Sequence, residues 1–327
     1  MFRSARSIHE RNPEALSIKE LCVLIPTYNR FDALKECLTH LENQTFKNFE
    51  VLVVDDGSTD AAQSQMDDHI AKTALTIRYV KQQNGGPAKA MNLGLSLIQA
   101  PICLMLGDDI FALPNLVEFH IRLHRHNPNL EVAGLGLTEW SSSKQNITPY
   151  MRWLGKSPIQ FAYRDLLAGV RPDWRHFYTS NLSVKTELLK SFPFNESFPY
   201  AAIEDTELGY RIQKQFGLKL NFIPEARADH LHPTTFLQSC ERMIRVGYSS
   251  RLFHDLWPER RPPPSNLLKR IFKNFLISRP SLLKMLRDFT SFCSQTICPG
   301  PLIKLILACY FAIGYGSRRD KDGKLES

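Results

Sequence analysis

The feature that most constrains the fold is a run of five apolar residues, 102–106 (Ile-Cys-Leu-Met-Leu), followed after one glycine by two adjacent carboxylates, Asp108 and Asp109. An uninterrupted apolar run of this length, bounded by turn residues, is typical of a central parallel strand that is buried on both faces. In open α/β sheets, ligands bind beyond the carboxyl ends of such strands. The acid pair is therefore expected to hold a hard divalent cation and, through it, an anionic substrate.

Alternating strand and helix patterns predict a parallel, doubly wound sheet around this run. Apolar strands are predicted at residues 21–25, where Pro26 is expected to stop the strand, at 49–54 and near 75–80. Helical stripes at i, i+3, i+4 spacing are formed by Leu34, Cys37, Leu38 and Leu41, and by Met91, Leu95 and Ile98. Four strands with intervening helices make this α/β architecture the economical interpretation.

The second half of the chain has a weaker pattern. It predicts a helix at 114–126, a strand at 131–137, an irregular segment at 138–176 with one short helix near 160–167, a strand at 177–184, a helix at 204–216 and a strand at 218–223. An irregular segment as long as 138–176 is more often functional than idle in a compact domain.

Charge divides the chain into two parts. Residues 241–327 contain 16 Lys and Arg against 7 Asp and Glu, a surplus of +9, so that residues 1–240 sum to −1. The pattern predicts a near-neutral enzyme body with a basic C-terminal region, which fits solubility, an anionic membrane surface or a polyanionic acceptor. Seven cysteines without a C-x-x-C pair, and a polar start without a signal-peptide core, predict no disulfide framework, no zinc site and a cytoplasmic location.

The basic region is predicted to form amphipathic helices, interrupted at residues 260–265 (Arg-Arg-Pro-Pro-Pro-Ser). Residues 302–314 are apolar apart from Lys304, a stretch too short for a membrane span of roughly 20 residues. A buried helix and a helix lying in the membrane interface are equal alternatives. Four flanking basic residues favour the interface, which would place the protein at the inner face of a membrane. They are Arg318, Arg319, Lys321 and Lys324.

Three acidic pairs fall where strands and helices should converge: Asp55 with Asp56, Asp108 with Asp109, and Glu204 with Asp205. Each pair alone fits a turn or a helix start, but three pairs on one sheet edge predict a shared site. Clustered carboxylates stay ionised only when a cation or fixed dipoles compensate them, and a divalent metal with a diphosphate does so. The sequence has no G-x-G-x-x-G after the first strand and no G-x-x-x-x-G-K-[ST], so dinucleotide and P-loop sites are not expected.

Five segments, in order, resemble the motifs of family-2 glycosyltransferases with the GT-A fold. They are residues 25–30 (Ile-Pro-Thr-Tyr-Asn-Arg), 54–60 (Val-Asp-Asp-Gly-Ser-Thr-Asp), 84–88 (Asn-Gly-Gly-Pro-Ala), 106–109 (Leu-Gly-Asp-Asp) and 204–211 (Glu-Asp-Thr-Glu-Leu-Gly-Tyr-Arg). The resemblance implies a Rossmann-like, mostly parallel α/β sheet in a GT-A domain at 21–235, an N-terminal arm at 1–20 and a basic helical C-terminal extension at 236–327.

The resemblance also implies an activity. A metal-dependent, inverting transferase of this family moves a sugar from a nucleotide-diphosphate sugar, usually linked to UDP, to an acceptor hydroxyl. Asp205 matches the catalytic base, and Asp109 matches the ligand of Mn²⁺ or Mg²⁺, with His230 or His232 beside the diphosphate. Among the positions that match donor-binding residues, Thr27, Tyr28 and Asp56 lie at the base and Asp108 lies at the ribose. The other matching positions are Pro26, Arg30, Gly86 and Lys89.

Departures from the family pattern refine this expectation. Gly107 stands where the family often has an acid, and Met91 stands where it commonly has an arginine. Gln238 and Arg242 do not form the Q-x-x-R-W pattern of processive synthases, so one sugar per acceptor is expected.

The expected acceptor is a carbohydrate or a lipid-linked molecule of cell-envelope, exopolysaccharide or glycolipid synthesis, and nucleic acid is not an expected partner. Aromatic faces suit sugars and lipid-linked acceptors alike, so three tryptophans of segment 138–176 are predicted to line the acceptor site, with packing as the equal alternative. They are Trp140, Trp153 and Trp174.

Two other functions compete with this interpretation. A nucleotidylyltransferase is also α/β and metal-dependent, but it would need a glycine-rich basic loop where Pro-Thr-Tyr-Asn follows the first strand. A non-catalytic binding module with the same fold would be favoured by loss of Asp109 or Asp205, and both are present.

Overall fold

A computed structural model describes residues 8–9, 18–60, 62–263, 266–319 and 325–326. The chain forms two compact units, which we call unit 1 (Met1–Lys144 with Phe161–His232) and unit 2 (Gln145–Gln160 with Pro233–Ser327). Most of the N-terminal arm predicted at 1–20 lies outside the described residues.

Unit 1 is built on one nine-stranded sheet. Its strands are β1 (Ile8–His9), β2 (Leu21–Thr27), β3 (Phe49–Asp55), β4 (Ile77–Lys81), β5 (Ile102–Leu106), β6 (Ile110–Ala112), β7 (Val132–Trp140), β8 (Asn181–Lys185) and β9 (Lys219–His230). Their spatial order is β1-β4-β3-β2-β5-β8-β7-β9-β6. The α-helices that precede β9 in the chain are α1 (Phe31–Glu42), α2 (Ala62–Lys72), α3 (Pro87–Leu97), α4 (Leu116–His126), α5 (Pro149–Gly155), α6 (Tyr163–Leu167), α7 (Thr186–Ser191) and α8 (Glu204–Phe216). All of them belong to unit 1 except α5, which belongs to unit 2.

The sheet is mixed but mostly parallel at its centre. Strands β2, β3, β4 and β5 pair in parallel, as predicted for a doubly wound sheet, and so do β7 and β9. Strand β8 runs antiparallel to both β5 and β7. The reversal places the carboxyl end of β8 at the opposite edge of the sheet from that of β5.

Strand β2 continues through Pro26 to Thr27, so the prediction that Pro26 stops the strand is wrong. Pro26 lies opposite Val54 in the ladder with β3, while pairing with β5 ends at Leu24. Proline has no N–H to donate and is tolerated where a strand edge has no ladder partner. The strand therefore delivers Thr27 to the edge of the sheet.

The central strands are buried on both faces. Alternate residues of β2 contribute to separate apolar clusters, Val23 and Ile25 to one and Cys22 and Leu24 to the other. All five residues of β5 are buried, as the apolar run predicted. The acids that follow these strands are thus fixed by a rigid, fully packed scaffold.

Unit 2 is helical. Besides α5 it contains α9 (Phe236–Leu256), α10 (Leu267–Ile277), α11 (Pro280–Cys293), α12 (Gly300–Gly316) and a short ladder of β10 (Arg318–Arg319) with β11 (Leu325–Glu326). Trp153 of α5 stacks on Tyr150, whose ring packs edge-on against Phe236. These contacts of Trp153 are those of the packing alternative.

Helix α12 contains the apolar stretch at 302–314. One side of this helix is buried, through Ile303, Ile306, Leu307 and Cys309. Glycines allow α9 and α12 to cross closely, since a Cβ on Gly314 would lie 1.9 Å from the Ile244 carbonyl oxygen. Within the described residues, no helix combines the length and apolar character needed to cross a bilayer.

Candidate active site

Two buried carboxylates follow β5 in a tight turn, closed by a hydrogen bond from Ile110 N to Gly107 O of 3.2 Å. Thr27 at the end of β2 donates from its Oγ1 to Asp108 Oδ2 at 2.8 Å. The guanidinium of Arg30 bridges both acids, with Nη1 3.0 Å from Asp108 Oδ1 and Nη2 2.6 Å from Asp109 Oδ2. The acid pair is therefore held from the β2 side by one hydroxyl and one cation.

Gly107 suits this turn better than an acidic residue would. A Cβ at this position would lie 3.0 Å from Ile110 Cγ1 and 3.1 Å from Asp109 Oδ1. A larger side chain would crowd the carboxylate of Asp109.

Two histidines approach Asp109 from the end of β9. The ladder of β6 with β9 pairs Ile110 with His230, and the Leu231 N–H donates to the Asp109 carbonyl at 2.9 Å. Both His230 Nε2 and His232 Nδ1 lie 3.2 Å from Asp109 Oδ2. His230 is buried, whereas the side chain of His232 is 47% exposed.

Aromatic stacking fixes the orientation of His230. Parallel pairing of β7 with β9 sets Trp140 beside His230, and the two rings stack with centroids 5.1 Å apart. His232 stacks on the same imidazole at 5.3 Å. Trp140 therefore belongs to the wall of this site, while Trp174 packs edge-on against Tyr210.

The two carboxyl groups have opposite pKa shifts. Burial raises the pKa of Asp108 to about 6, although the charge of Arg30 acts in the other direction. Burial also acts to raise the pKa of Asp109, but hydrogen bonds from His230 and His232 and the electrostatic influence of His230 and Arg30 outweigh it and hold this pKa well below its usual range. Asp109 is thus the stronger anion of the pair, and it is the one that faces the histidines.

The donor set around Asp109 fits a divalent metal ion. One oxygen of Asp109 and one ring nitrogen from each of His230 and His232 all lie within 4.8 Å of one another. A carboxylate with two imidazoles is a common partial ligand set for first-row divalent metals. Both histidines of the predicted alternative are positioned for this role.

The two acids after β3 have different partners. Asp56 accepts hydrogen bonds from Gln82 Nε2 at 2.6 Å and from the N–H groups of Gly85 and Gly86 at 2.8 Å each. Asp55 is fully buried and accepts from Ser58 N at 2.7 Å and from the Tyr79 hydroxyl. Asp56 therefore orders the Gly-Gly turn at the sheet edge, whereas Asp55 stabilises the loop from within.

The Gly-Gly turn leads into α3 and lies beside the segment before α8. Gly86 has φ of +90°, a conformation that favours glycine. The stem of Lys89 covers Gly85, since a Cβ there would be 2.4 Å from Lys89 Cδ. A Cβ on Gly86 would lie 3.6 Å from the Pro199 carbonyl oxygen, so this turn and the approach to α8 are neighbours.

Asp205 lies in the first turn of α8, after a backbone outlier. Ile203 has φ of +74°, a strained conformation for a β-branched residue and one that recurs at functional sites. The Thr206 N–H donates to Asp205 Oδ1 at 2.7 Å. Burial, with the nearby charge of Asp205, raises the pKa of Tyr178 to about 12.

An aromatic contact connects this region to the histidines. The ring of Tyr178 packs against Phe161 at 4.9 Å, and Phe161 lies 6.3 Å from the His230 ring. Phe161 thus lies between Tyr178 and His230, and the charge of Asp205 acts on the same tyrosine.

Other residues complete the edge. Tyr28 follows Thr27 with its side chain 47% exposed, which leaves a face for stacking. Sequence reasoning missed Asn29, whose φ is +52° and whose Oδ1 accepts from Thr59 N at 2.7 Å. Asparagine is among the few residues that adopt such a φ readily. An asparagine directly after Tyr28 could therefore have indicated this turn from the sequence.

Comparisons with known proteins give one consistent picture. Residues 22–174 match the model of glycosyl transferase family 2. The chain is 28% identical over 265 residues to validoxylamine A glucosyltransferase of Streptomyces hygroscopicus subsp. jinggangensis, covering 69% of this chain and 60% of that protein. It is 26% identical over 278 residues to the uncharacterized glycosyltransferase YfnE of Bacillus subtilis, covering 72% and 70%.

Two further similarities bear on length and fold. Glycosyltransferase GlyG of Streptococcus pneumoniae is 26% identical over 177 residues, with 54% of this chain and 58% of that protein covered. The chain thus spans about 60% of the length of some of these relatives. The solved mannosyltransferase PcManGT from Pyrobaculum calidifontis, in complex with GDP-Man and Mn²⁺, superposes with a TM-score of 0.60 at 16% identity, covering 92% of this chain and 88% of that one. At this identity the likeness is one of fold.

Proposed function

We propose that this chain, whose residues 22–174 match the model of glycosyl transferase family 2, transfers one sugar from a nucleotide-diphosphate sugar to an acceptor hydroxyl, with inversion and with the aid of a divalent cation. The observation that carries this proposal is the convergence of His230, His232 and Arg30 on Asp109 at the carboxyl edge of the sheet.

The ligand set favours Mn²⁺ over Mg²⁺. Asp109, His230 and His232 would hold the ion, and Mg²⁺ prefers oxygen ligands in a strict octahedron, whereas first-row transition metals accept imidazole. When bound, the cation supplies Lewis-acid stabilisation for negative charge on the departing diphosphate. Arg30, which contacts both acids, would offer a planar pair of donors to the same diphosphate.

The hydrogen bonding of Asp56 favours a uridine donor. A carboxylate has about four acceptor positions, and three are taken by Gln82, Gly85 and Gly86. One remaining position matches the single imide N–H of uracil, whereas guanine presents two adjacent donors. Tyr28 would stack on the base, with Pro26 and Thr27 beneath it, and Asp108 would accept from the ribose.

The phosphates and the acceptor would meet two further parts of the site. Gly86, at the start of α3, offers close backbone approach, and the exposed Lys89 offers a positive charge to the diphosphate. Asp205 would take the proton of the acceptor hydroxyl as it attacks the anomeric carbon, and a single displacement from the opposite face inverts that centre. Trp140 would supply an apolar face for a carbohydrate or lipid-linked acceptor.

Release of nucleoside diphosphate from a panel of nucleotide sugars, with Mn²⁺ or Mg²⁺ present, tests this function. Asp205→Asn keeps the size of the side chain and removes the base, so turnover should fall by at least about a hundredfold while donor binding persists. Glu187→Gln is the matched control, since Glu187 is an exposed acid in the first turn of another helix, α7, and turnover should not change.

Each competing function predicts a different result. A binding module would bind a donor and release no nucleoside diphosphate under any condition. A nucleotidylyltransferase would instead make a nucleotide sugar from a nucleoside triphosphate and a sugar phosphate. Unchanged turnover in Asp205→Asn would remove Asp205 from the role of base.

A further inference from the structure

Exposed large apolar side chains are concentrated in two helices of unit 2. Among the described residues, sixteen such side chains are exposed, and nine of them lie between residues 267 and 297. They are Leu267, Leu268, Ile271, Phe272 and Phe275 of α10, Met285, Phe289 and Phe292 of α11, and Ile297 after it. Phe292 is 79% exposed and Leu268 is 76% exposed.

Helix α11 has two distinct faces. Leu283 and Thr290 are buried against the rest of unit 2. Met285, Phe289 and Phe292 follow i, i+4, i+7 spacing and so share a different face, which is exposed. The apolar residues on that face are not explained by packing inside the unit.

Helix α10 repeats this arrangement. Leu276 is its only buried residue in the described structure. Leu267, Ile271 and Phe275 recur at i, i+4, i+8 along its exposed side, with Leu268 and Phe272 beside them. Contiguous apolar surface of this kind marks an interaction site in a protein that is otherwise normally packed.

Positive charge surrounds these faces. Residues 266–304 contain seven Lys and Arg and one acid, Asp288, a net charge of +6. The acid is itself paired, with Arg287 Nη2 2.6 Å from Asp288 Oδ1. Lys269, Arg270 and Lys284 are exposed. Amphipathic helices with apolar aromatic faces and basic flanks bind the interface of anionic bilayers.

We propose that α10 and α11 dock this protein on an anionic lipid bilayer, with their exposed apolar side chains in the interface and their lysines and arginines at the headgroups. A second copy of the chain is a poorer occupant, since two such surfaces would bring like charges of +6 together. Helix α12, for which the sequence left a buried and an interfacial position open, has one side buried within unit 2.

Co-sedimentation of the full chain with lipid vesicles tests the proposal. The protein should sediment with vesicles of equal parts phosphatidylcholine and phosphatidylglycerol, and much less with phosphatidylcholine alone. Phe289→Ser with Phe292→Ser should weaken binding by at least about tenfold. Phe216→Ser, an exposed phenylalanine of unit 1 at the end of α8, is the matched control and should bind like the native chain.

The charge contribution is tested separately. Lys269→Gln and Lys284→Gln should each weaken binding to the anionic vesicles by about fivefold, more so at low salt. Lys72→Gln, an exposed lysine of unit 1, should not. These lysine variants also serve if the double phenylalanine variant fails to fold, which its thermal unfolding would reveal.

Three results would overturn the proposal. One is the absence of binding to anionic vesicles at low salt, and another is equal binding by the double phenylalanine variant in its folded form. The third is a lipid-free dimer in sedimentation velocity that the same double change abolishes, which would assign the surface to self-association.

Discussion

Asp109 is the residue on which the candidate site converges, because its Oδ2 has Arg30 at 2.6 Å and both His230 and His232 at 3.2 Å. Three positive or potentially positive groups around one oxygen explain why this carboxyl stays ionised although it is buried. The same oxygen is the only anionic member of the candidate metal cluster formed by Asp109 and the two histidines.

Asp109→Asn should therefore abolish binding of Mn²⁺, because the amide is neutral and a poor ligand. Titration calorimetry or Mn²⁺ paramagnetic resonance measures the loss, which we expect to exceed about a hundredfold in affinity. Asp229→Asn is the matched control. Asp229 precedes His230 in β9 and so points to the other face of the strand, where it contacts Ser141. Equal Mn²⁺ affinity in both variants would contradict the assignment.

Two buried histidines should make the stability of the folded protein depend on pH. His120 and His124 lie beneath the sheet, where His120 Nε2 donates to Asn181 Oδ1 at 2.9 Å and His124 Nε2 lies 2.9 Å from Ser183 Oγ. Burial lowers the pKa of His120 to about 4 and that of His124 to about 3. Both imidazoles are therefore neutral in the folded protein at pH values where the unfolded chain is protonated.

Because the folded pKa values lie below the unfolded value near 6.5, the unfolded state binds more protons as the pH falls. The free energy of unfolding should thus be insensitive to these groups above pH 6.5 and fall by roughly 2 kcal/mol per histidine between pH 6.5 and 5. His124→Leu should remove about half of this pH dependence, measured as the melting temperature against pH. A variant with the full native slope would contradict the prediction.

Sequence reasoning was successful for residues whose role depends on local position. The acids that follow β3 and β5 were found because the apolar pattern of a strand shows where that strand ends. The family resemblance built on these acids is confirmed by the match of residues 22–174. Contacts between distant segments were not predictable. The bridge from Arg30 to both acids, and the stacking of Trp140 on His230, depend on strand pairings that no single stretch encodes.

At the scale of elements, β9 shows why a strong local signal can mislead. The pattern predicted a strand at 218–223 only. The strand instead continues to His230, because an irregularity at Gly136/Leu137 of β7 lets the ladder skip from Ile223 to Arg227. The extension of β9 beyond Ile223 brings His230 to Asp109. The site therefore depends on a bulge that the sequence pattern does not predict.

The close crossing of α9 and α12 should make the stability sensitive to side-chain size at Gly314. A Cβ on Gly314 would lie 1.9 Å from the Ile244 carbonyl oxygen, so Gly314→Ala should force the two backbones apart and cost about 1–3 kcal/mol of stability. Gly316→Ala is the matched control in the same helix, since a Cβ there meets nothing within 4 Å. Thermal unfolding should show a lower melting temperature for the first variant only. Equal melting temperatures would mean that the crossing relaxes without cost.

At the scale of the whole molecule, the distribution of net charge along the chain predicts the division into two units, although it does not predict the fold of either unit. The −1 of residues 1–240 and the +9 of residues 241–327 correspond closely to the sheet unit and the helical unit. The inclusion of residues 145–160 in unit 2 was not predictable, because α5 is one short helix in a segment without periodicity. Its position is shown by contacts with distant residues, such as that of Tyr150 with Phe236 of α9.

Ligand binding should act on the stability of the molecule by mass action. A ligand that binds only the folded state at about a hundred times its dissociation constant adds about 2.7 kcal/mol, which for a domain of this size corresponds to roughly 5 °C in melting temperature. With Mn²⁺ present, UDP should give this shift at a lower concentration than GDP, since Asp56 has one acceptor position left for a base. Asp205→Asn should retain the shift in melting temperature, because this carboxylate would act on the acceptor and not on the donor. Asp109→Asn should lose the part of the shift that requires Mn²⁺. A panel in which GDP outperforms UDP would contradict the uridine assignment, and a melting temperature insensitive to every nucleotide would contradict the donor site itself.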